Sequence, residues 1–328
     1  MRPPVWPIDL NPPVFLAPMA GITDLPYRTL VARFGAGLVV SEMVASQELL
    51  SCRPGTREKA ELGLGVEGTS VQIAGREAAP MAEAARMIEA QGARLIDINM
   101  GCPAKKVTQG ASGSALMKTP DHALRLIEAV VEAVNVPVTL KTRLGWDDQM
   151  LNAADIARRA EHAGIKMITI HGRTRCQFYK GTADWQAIRA VRDAVDIPVV
   201  ANGDIVSANA AQQALDQSGA DGVMVGRGAQ GRPWILAEIS HALFGTPSPD
   251  VPMGDAFAAM VEEHYDEMLR FYGADLGSRV ARKHLGWYMD TCATPTGLRR
   301  YVLTSKDPSE TKGLIRQAMQ YGAGAQAA

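Results

Sequence analysis

The strongest constraint on this chain is a rhythm. Short apolar runs rich in β-branched residues recur at 14–17, 38–41, 70–73, 95–100, 138–141, 167–171, 198–201 and 222–225. Between most of them lie Ala-rich segments with apolar residues at helical spacing, at 78–91, 121–134, 153–163 and 209–217. Gly92, Gly164 and Gly219 stand where such a segment gives way to the next run, which is a helix C-terminal signal. Strands joined by helical crossovers must run parallel. Eight such units over residues 1–244 match a (β/α)₈ TIM barrel of ~250 residues, with a doubly wound sheet as the alternative.

The rhythm stops near Phe244. The stretch 245–254 contains Gly-Thr-Pro-Ser-Pro-Asp-Val-Pro, a proline-rich linker. Residues 255–328 then carry helical signals without strands, at 255–272, 276–291 and 309–319, before a short tail at 322–328. A small C-terminal helical domain is therefore expected after the barrel. With 328 residues, 47% hydrophobic and 21% charged, the chain can bury one large core and a smaller second one. The net charge of −1 means that a nucleic-acid partner would be held by local patches, not by a global field. Cys52, Cys102, Cys176 and Cys292 form neither a CxxC nor a Cys/His ligand pattern, which argues against a disulfide framework and a zinc site. Met1 to Leu10 lacks an apolar leader core, and no run nears the ~18 apolar residues of a membrane span. A soluble, cytoplasmic protein with no membrane partner is expected.

Barrels carry their chemistry at the C-terminal ends of the strands. Here those ends read Ala17-Pro18-Met19-Ala20, Ser41-Glu42-Met43, Gln72, Asn99 with Cys102, Lys141-Thr142-Arg143, His171-Gly172-Arg173, Asn202-Gly203-Asp204 and Gly226-Arg227-Gly228. The fourth is the most distinctive. Asp97 and Asn99 alternate within an apolar run that stops at Gly101-Cys102-Pro103, so a thiol and an amide meet where a barrel holds its ligand. The last two ends suit a phosphate: their glycines let backbone N–H groups approach, and Arg227 supplies charge. Lys141 can be a solvated strand-end lysine, a Schiff-base lysine, or a fixed cation facing a ligand that gains negative charge on reduction. Gln72 and the backbone at Pro18, Met19 and Ala20 favour the third, because amides match the edge of a flavin ring. His171 is a further ring contact or a structural histidine. Gly-x-Gly-x-x-Gly occurs at 63–68 and 226–231, but neither copy opens a dinucleotide-binding unit with an acid at a following strand end.

At this point a family resemblance enters. Residues 17–24, 97–107, 171–175, 202–205 and 226–234 resemble the bacterial tRNA-dihydrouridine synthases over nearly the whole chain. The 99–107 stretch and Ala281-Arg282-Lys283-His284 resemble the B-type subgroup, relatives of nitrogen-regulation proteins. The resemblance implies an oxidoreductase in which NADPH reduces a non-covalent FMN and a hydride passes to C6 of a uracil. Cys102 would protonate C5, a thiol being a weak acid that can give up its proton. The implied FMN contacts are Pro18, Met19, Ala20, Gln72, Lys141, His171, Asn202, Gly203, Asp204, Gly226 and Arg227. Asn99 would bind the uracil, and Arg173 the base or a nearby phosphate.

A uridine must leave its stack to reach a barrel mouth, which favours a loop nucleotide, and the resemblance implies the D-loop of tRNA, not DNA. Arg279, Arg282, Lys283, Arg299 and Arg300 against the single acid Asp290 form a candidate phosphate-binding face, with Arg282 and Lys283 as substrate contacts. Lys105 and Lys106 could join it, and a monomer is expected. The competing readings are a flavin dehydrogenase acting on a free pyrimidine, an RNA-binding protein without turnover, and an aldolase-like use of Lys141.

Overall fold

The computed structural model describes residues 4–51 and 69–320. Cys52, the glycine motif at 63–68 and the 322–328 tail lie outside these residues. The strands are β1 (Val14–Leu16), β2 (Leu38–Val40), β3 (Val44–Ala45), β4 (Thr69–Ala74), β5 (Ile96–Met100), β6 (Val138–Arg143), β7 (Ile168–His171), β8 (Val199–Asn202) and β9 (Gly222–Val225). Every pairing is parallel. β1 lies between β2 and β9, and β2 also pairs with β4 through Val39 and Thr69, so eight strands close a ring. The chain is a (β/α)₈ barrel. The two-residue β3 pairs with β4 outside the ring, and a segment so short leaves no period to read in the sequence.

Strand alternation sorts the core. Val14, Leu16, Val39, Ile73, Ile96, Ile98, Leu140, Ile170 and Val223 face outward into the cluster beneath the surrounding helices. The opposite faces of β1, β2, β8 and β9 supply Phe15, Leu38, Val40, Val200 and Met224, which meet Leu10 inside the barrel. The inner faces of β4 to β7 are polar instead: Gln72, Asp97, Asn99, Thr139, Lys141 and Thr169 are all buried. The barrel interior is thus half apolar plug and half polar floor.

The surrounding helices start and stop on local chemistry. Ser207 caps the Ala208–Ser218 helix by accepting from the Ala210 N–H at 3.1 Å, and Gly219 ends it at φ 67°. Gly92 and Gly164 also hold positive φ, at 97° and 104°. The Ile235–Phe244 helix ends at Gly245, and four helices follow: Gly254–Tyr272, Ala274–Thr291, Thr296–Thr304 and Pro308–Met319. The third of these was not expected, because its apolar stripe is narrow and only Val302 is fully buried.

This helical unit packs on the barrel through Leu30 and Trp234, which share a core with Phe257, Tyr265 and Tyr288. Gly231 permits the close approach, since a Cβ there would lie 2.7 Å from the Trp287 carbonyl oxygen. Asp24 caps the Leu25–Arg33 helix and also accepts from the Tyr272 hydroxyl at 3.0 Å, joining the two units. Burial pushes the Asp24 carboxyl up to about 6. Among the described residues, no helix is long and apolar enough to cross a membrane.

Candidate active site

A cavity of about 600 Å³ opens at the C-terminal ends of the strands, within the ~300–1,000 Å³ typical of small-molecule sites. Its floor is the polar half of the barrel. The Lys141 ammonium donates to Asn202 Oδ1 at 2.9 Å, and the Asn202 amide donates onward to the Met224 carbonyl at 2.8 Å. Burial pushes Lys141 down to about 8, helped by the charge of Arg143 and opposed by Asp97 and Cys102. His171 lies well below its ordinary value, first through burial and then through Lys141, Arg143, Arg173 and Arg227. Its ring is therefore neutral near physiological pH, and its buried Nδ1 has no partner among the described residues.

Cys102 stands half-buried on the loop after β5. Asn99 Oδ1 accepts from the N–H groups of Gly101 and Cys102 at 3.2 and 3.0 Å, and the Ser114 hydroxyl donates to the Cys102 carbonyl at 2.8 Å. Arg143 braces the same loop from the other side. Its guanidinium, pushed down to about 10 chiefly by burial, donates to the carbonyls of Gly101, Thr174 and Phe178 at 2.8, 2.9 and 2.9 Å.

The far wall has glycine at 203, 226 and 228. A Cβ on Gly226 would make only ordinary van der Waals contact, with Ala17 Cβ at 3.8 Å and Met19 Sδ at 3.9 Å, so the cavity space beside this wall stays uncrowded. That space, the donor-rich floor and the unpartnered His171 nitrogen fit a planar heteroaromatic ligand with a phosphate tail. Arg227 is 56% exposed on this wall, 3.4 Å from Asp204 and 5.1 Å from the Tyr179 ring centroid.

The model of the dihydrouridine synthase (Dus) family matches residues 15–323. A probable tRNA-dihydrouridine synthase of Rhodobacter capsulatus is 67% identical over 313 residues, covering 95% of this chain and 96% of the relative. One from Rhizobium leguminosarum is 54% identical over 314 residues, 94% and 96% of the two chains. The tRNA-dihydrouridine synthase B of Vibrio vulnificus is 48% identical over 297 residues, 89% and 91% of the two chains. The chain belongs to the dihydrouridine synthase family.

In this dihydrouridine synthase the cavity brings together Pro18, Met19, Ala20, Gln72, Asn99 and Cys102 on one side. Lys141, His171, Asn202, Gly203, Asp204, Gly226 and Arg227 complete it. Of the residues expected to contact substrate, Arg173 does not line this cavity, and Arg282 and Lys283 lie on the helical unit, where the phosphate-binding face was expected. Arg173 is 1% exposed, and its guanidinium is spent on both Asp204 carboxylate oxygens, at 3.0 and 2.6 Å, and on the carbonyls of Lys180 and Gly181. It braces the wall from behind, with four of its five guanidinium N–H groups committed among the described residues. Arg282 and Lys283 lie on the Ala274–Thr291 helix outside the cavity. Lys283 is half-buried over the Gly21 lip, 3.2 Å from where a Cβ would sit, and burial lowers its ammonium against the pull of Asp24 and Glu42.

Asn99 and Gln72 differ from expectation in another way. Each spends most of its amide on neighbours, Asn99 Nδ2 donating to Gln72 Oε1 at 2.7 Å. Among the described residues each keeps one uncommitted amide N–H, and Gln72 Oε1 keeps one lone pair. Sequence reasoning named Arg143 at its strand end without giving it a role, and passed over Tyr179. A role for Arg143 could have been found, since it follows Lys141 at period two on the same strand face. Tyr179 lies on an irregular loop, where no period marks it.

Proposed function

We propose that this protein is an FMN-dependent tRNA-dihydrouridine synthase. The observation that carries the reading is the meeting, in one cavity, of a thiol on a braced loop with a floor of Lys141, Gln72 and neutral His171. Gln72 and Lys141 would hold the acceptor edge of the flavin ring, His171 its side, and Gly203, Gly226 and Arg227 its phosphate. FMN, when bound, supplies hydride transfer from NADPH to the uracil. Lys141 offers a positive charge to whatever gains electrons at the floor. The braced loop holds Cys102 so that its thiol can give a proton to C5 of the base. The C5=C6 double bond is lost, C6 having gained the hydride and C5 the proton.

The substrate reading comes from the relatives' names and is supported by the charge pattern of the helical unit. Arg316 pairs with Glu262 and Lys312 with Asp266, which ties the Pro308–Met319 helix to the Gly254–Tyr272 helix. Arg299 is used on Asp290 and the Gly286 carbonyl. Among the described residues, Arg279, Arg282, Lys283 and Arg300 have no carboxylate at ion-pair distance, and cations left unpaired suit RNA phosphates. Tyr288 on the same helix is core, and its hydroxyl bonds His264 at 3.0 Å.

The test is mass spectrometry of unmodified tRNA after incubation with protein, FMN and NADPH, beside Cys102→Ala. A D-loop uridine should gain two hydrogens, and the substitution should suppress the gain. Reduction of free uridine but not of tRNA would refute the substrate; full activity in Cys102→Ala would refute the acid.

A further inference from the structure

Asp97 is 5% exposed inside the barrel, and the proposed reaction gives it no step. It nevertheless begins a chain of hydrogen bonds that ends at Cys102. The Thr139 hydroxyl donates to Asp97 Oδ1 and Gln72 Nε2 donates to Oδ2, both at 2.7 Å. Gln72 Oε1 accepts from Asn99 Nδ2 at 2.7 Å, and Asn99 Oδ1 accepts from the N–H groups of Gly101 and Cys102.

The two amides are nearly symmetric in shape, so packing alone does not choose between their flipped forms. The ends of the chain choose. A carboxylate oxygen can only accept from Gln72, and two backbone N–H groups can only donate to Asn99. One orientation of both amides satisfies both ends. β-Strand register makes the arrangement possible: Gln72 lies opposite Asp97 on adjoining strands, Thr139 opposite Asp97, and Asn99 two residues on along the same face.

We propose that Asp97 is a positioning residue for Cys102: its acceptor oxygen orients Gln72, and through it Asn99, so that the loop N–H groups stay held. The proposal rests on the reading of Cys102 as the proton donor. Without the acceptor at 97, Gln72 can turn its Nε2 toward Asn99, drawing Asn99 Oδ1 away from the loop. Asn99 Nδ2 would then face the N–H groups of Gly101 and Cys102, donor against donor. The carbonyl side of the loop remains held by Ser114 and Arg143, so the loop loosens without collapsing. Asparagine at 97 can keep the order, its oxygen toward Gln72 and its amide toward the Thr139 hydroxyl.

The experiment is peptide-resolved iodoacetamide labelling of the FMN-loaded protein, with exposed Cys176 as the internal reference. Asp97→Ala should raise the Cys102-to-Cys176 labelling ratio roughly fivefold, the worth of one net buried hydrogen bond, and Asp97→Asn should stay within about twofold of the parent. Gln72→Met cuts the chain one step further on and should reproduce the Asp97→Ala result, which keeps the test open if that variant fails to fold. An unchanged ratio in Asp97→Ala or Gln72→Met, or an Asp97→Asn ratio as high as that of Asp97→Ala, overturns the relay. Labelling needs no turnover, so it decides the relay even if Cys102→Ala proves fully active and the reading of the acid falls.

Discussion

Arg173→Ala would separate the brace behind the phosphate wall from the contacts on it. The guanidinium makes four hydrogen bonds, two to Asp204 and two to the Lys180 and Gly181 carbonyls. Removing one partner of a fully buried pair costs ~3–5 kcal/mol. Asp204 keeps 29% of its side chain in water, together with the Ala183 N–H at 2.8 Å and Arg227 at 3.4 Å. Solvent screening at such a site brings the cost to about 2–3 kcal/mol. With ~2.1 cal/mol/K of unfolding entropy per residue over 328 residues, Tm should fall by roughly 3–4 °C.

FMN affinity, read by fluorescence titration, should fall roughly tenfold, because the loop after β7 loses two anchors. The effect has a pH signature. Burial tends to raise the Asp204 carboxyl, but the bonds from Arg173 and Ala183 outweigh it and leave it below the ordinary range. Stability from the pair is therefore present above the unfolded value of ~3.9 and is lost as pH falls through the folded value. The Tm gap between parent and variant should narrow below about pH 4, to what the two carbonyl bonds contribute. A gap under about 1 °C at neutral pH, or one that stays undiminished in acid, would refute the assignment of Arg173 to the brace.

Three further outcomes follow from the same geometry. Arg227→Ala removes an exposed ion pair worth ~0–1 kcal/mol and an exposed contact over the Tyr179 ring, so Tm should change little while FMN binding weakens; equal losses in both would make Arg227 a second brace. Arg279→Ala with Arg282→Ala should weaken tRNA binding and reduce the slope of log affinity against log salt by about 2, while FMN content stays unchanged. Lys141, held near about 8 by burial, should give two opposed pH trends. FMN affinity falls as pH rises through that value and the cation is lost, whereas the thermal stability of FMN-free protein rises between about 8 and ~10.4, where the unfolded lysine binds the extra proton. Parallel trends would show that the ammonium is not facing the ligand.

The barrel was legible because its repeat is physical. A parallel strand buried on its outer face needs an apolar residue at every second position, and a crossover helix needs an apolar stripe every three to four. Eight repetitions of both leave few other folds. The elements that escaped are those lacking a period. β3 spans two residues, and the Thr296–Thr304 helix buries Val302 but leaves most of its length in water. The packing of the helical unit was illegible for another reason: Leu30, Trp234 and Tyr288 read as ordinary apolar residues until the contact between them is seen.

The site divides along a similar line. Polar residues at strand ends announced themselves, since a charge or amide inside an apolar run demands a purpose. Their identity did not say which way each one faces or what it spends its bonds on. Arg173 and Asp204 read as two ligand contacts, yet they are largely each other's partner. Asn99 and Gln72 read as contacts too, yet each gives most of its amide to holding a neighbour. A buried polar group must be satisfied before it can serve a ligand. In a floor built from Thr139, Asp97, Gln72 and Asn99, satisfaction is mutual, so the hydrogen bonds left over for a ligand are few. The residues that make this site are therefore mostly engaged in fixing a handful of N–H groups and one thiol. That division of labour lies in the distances between strands, which a single sequence read along its length does not contain.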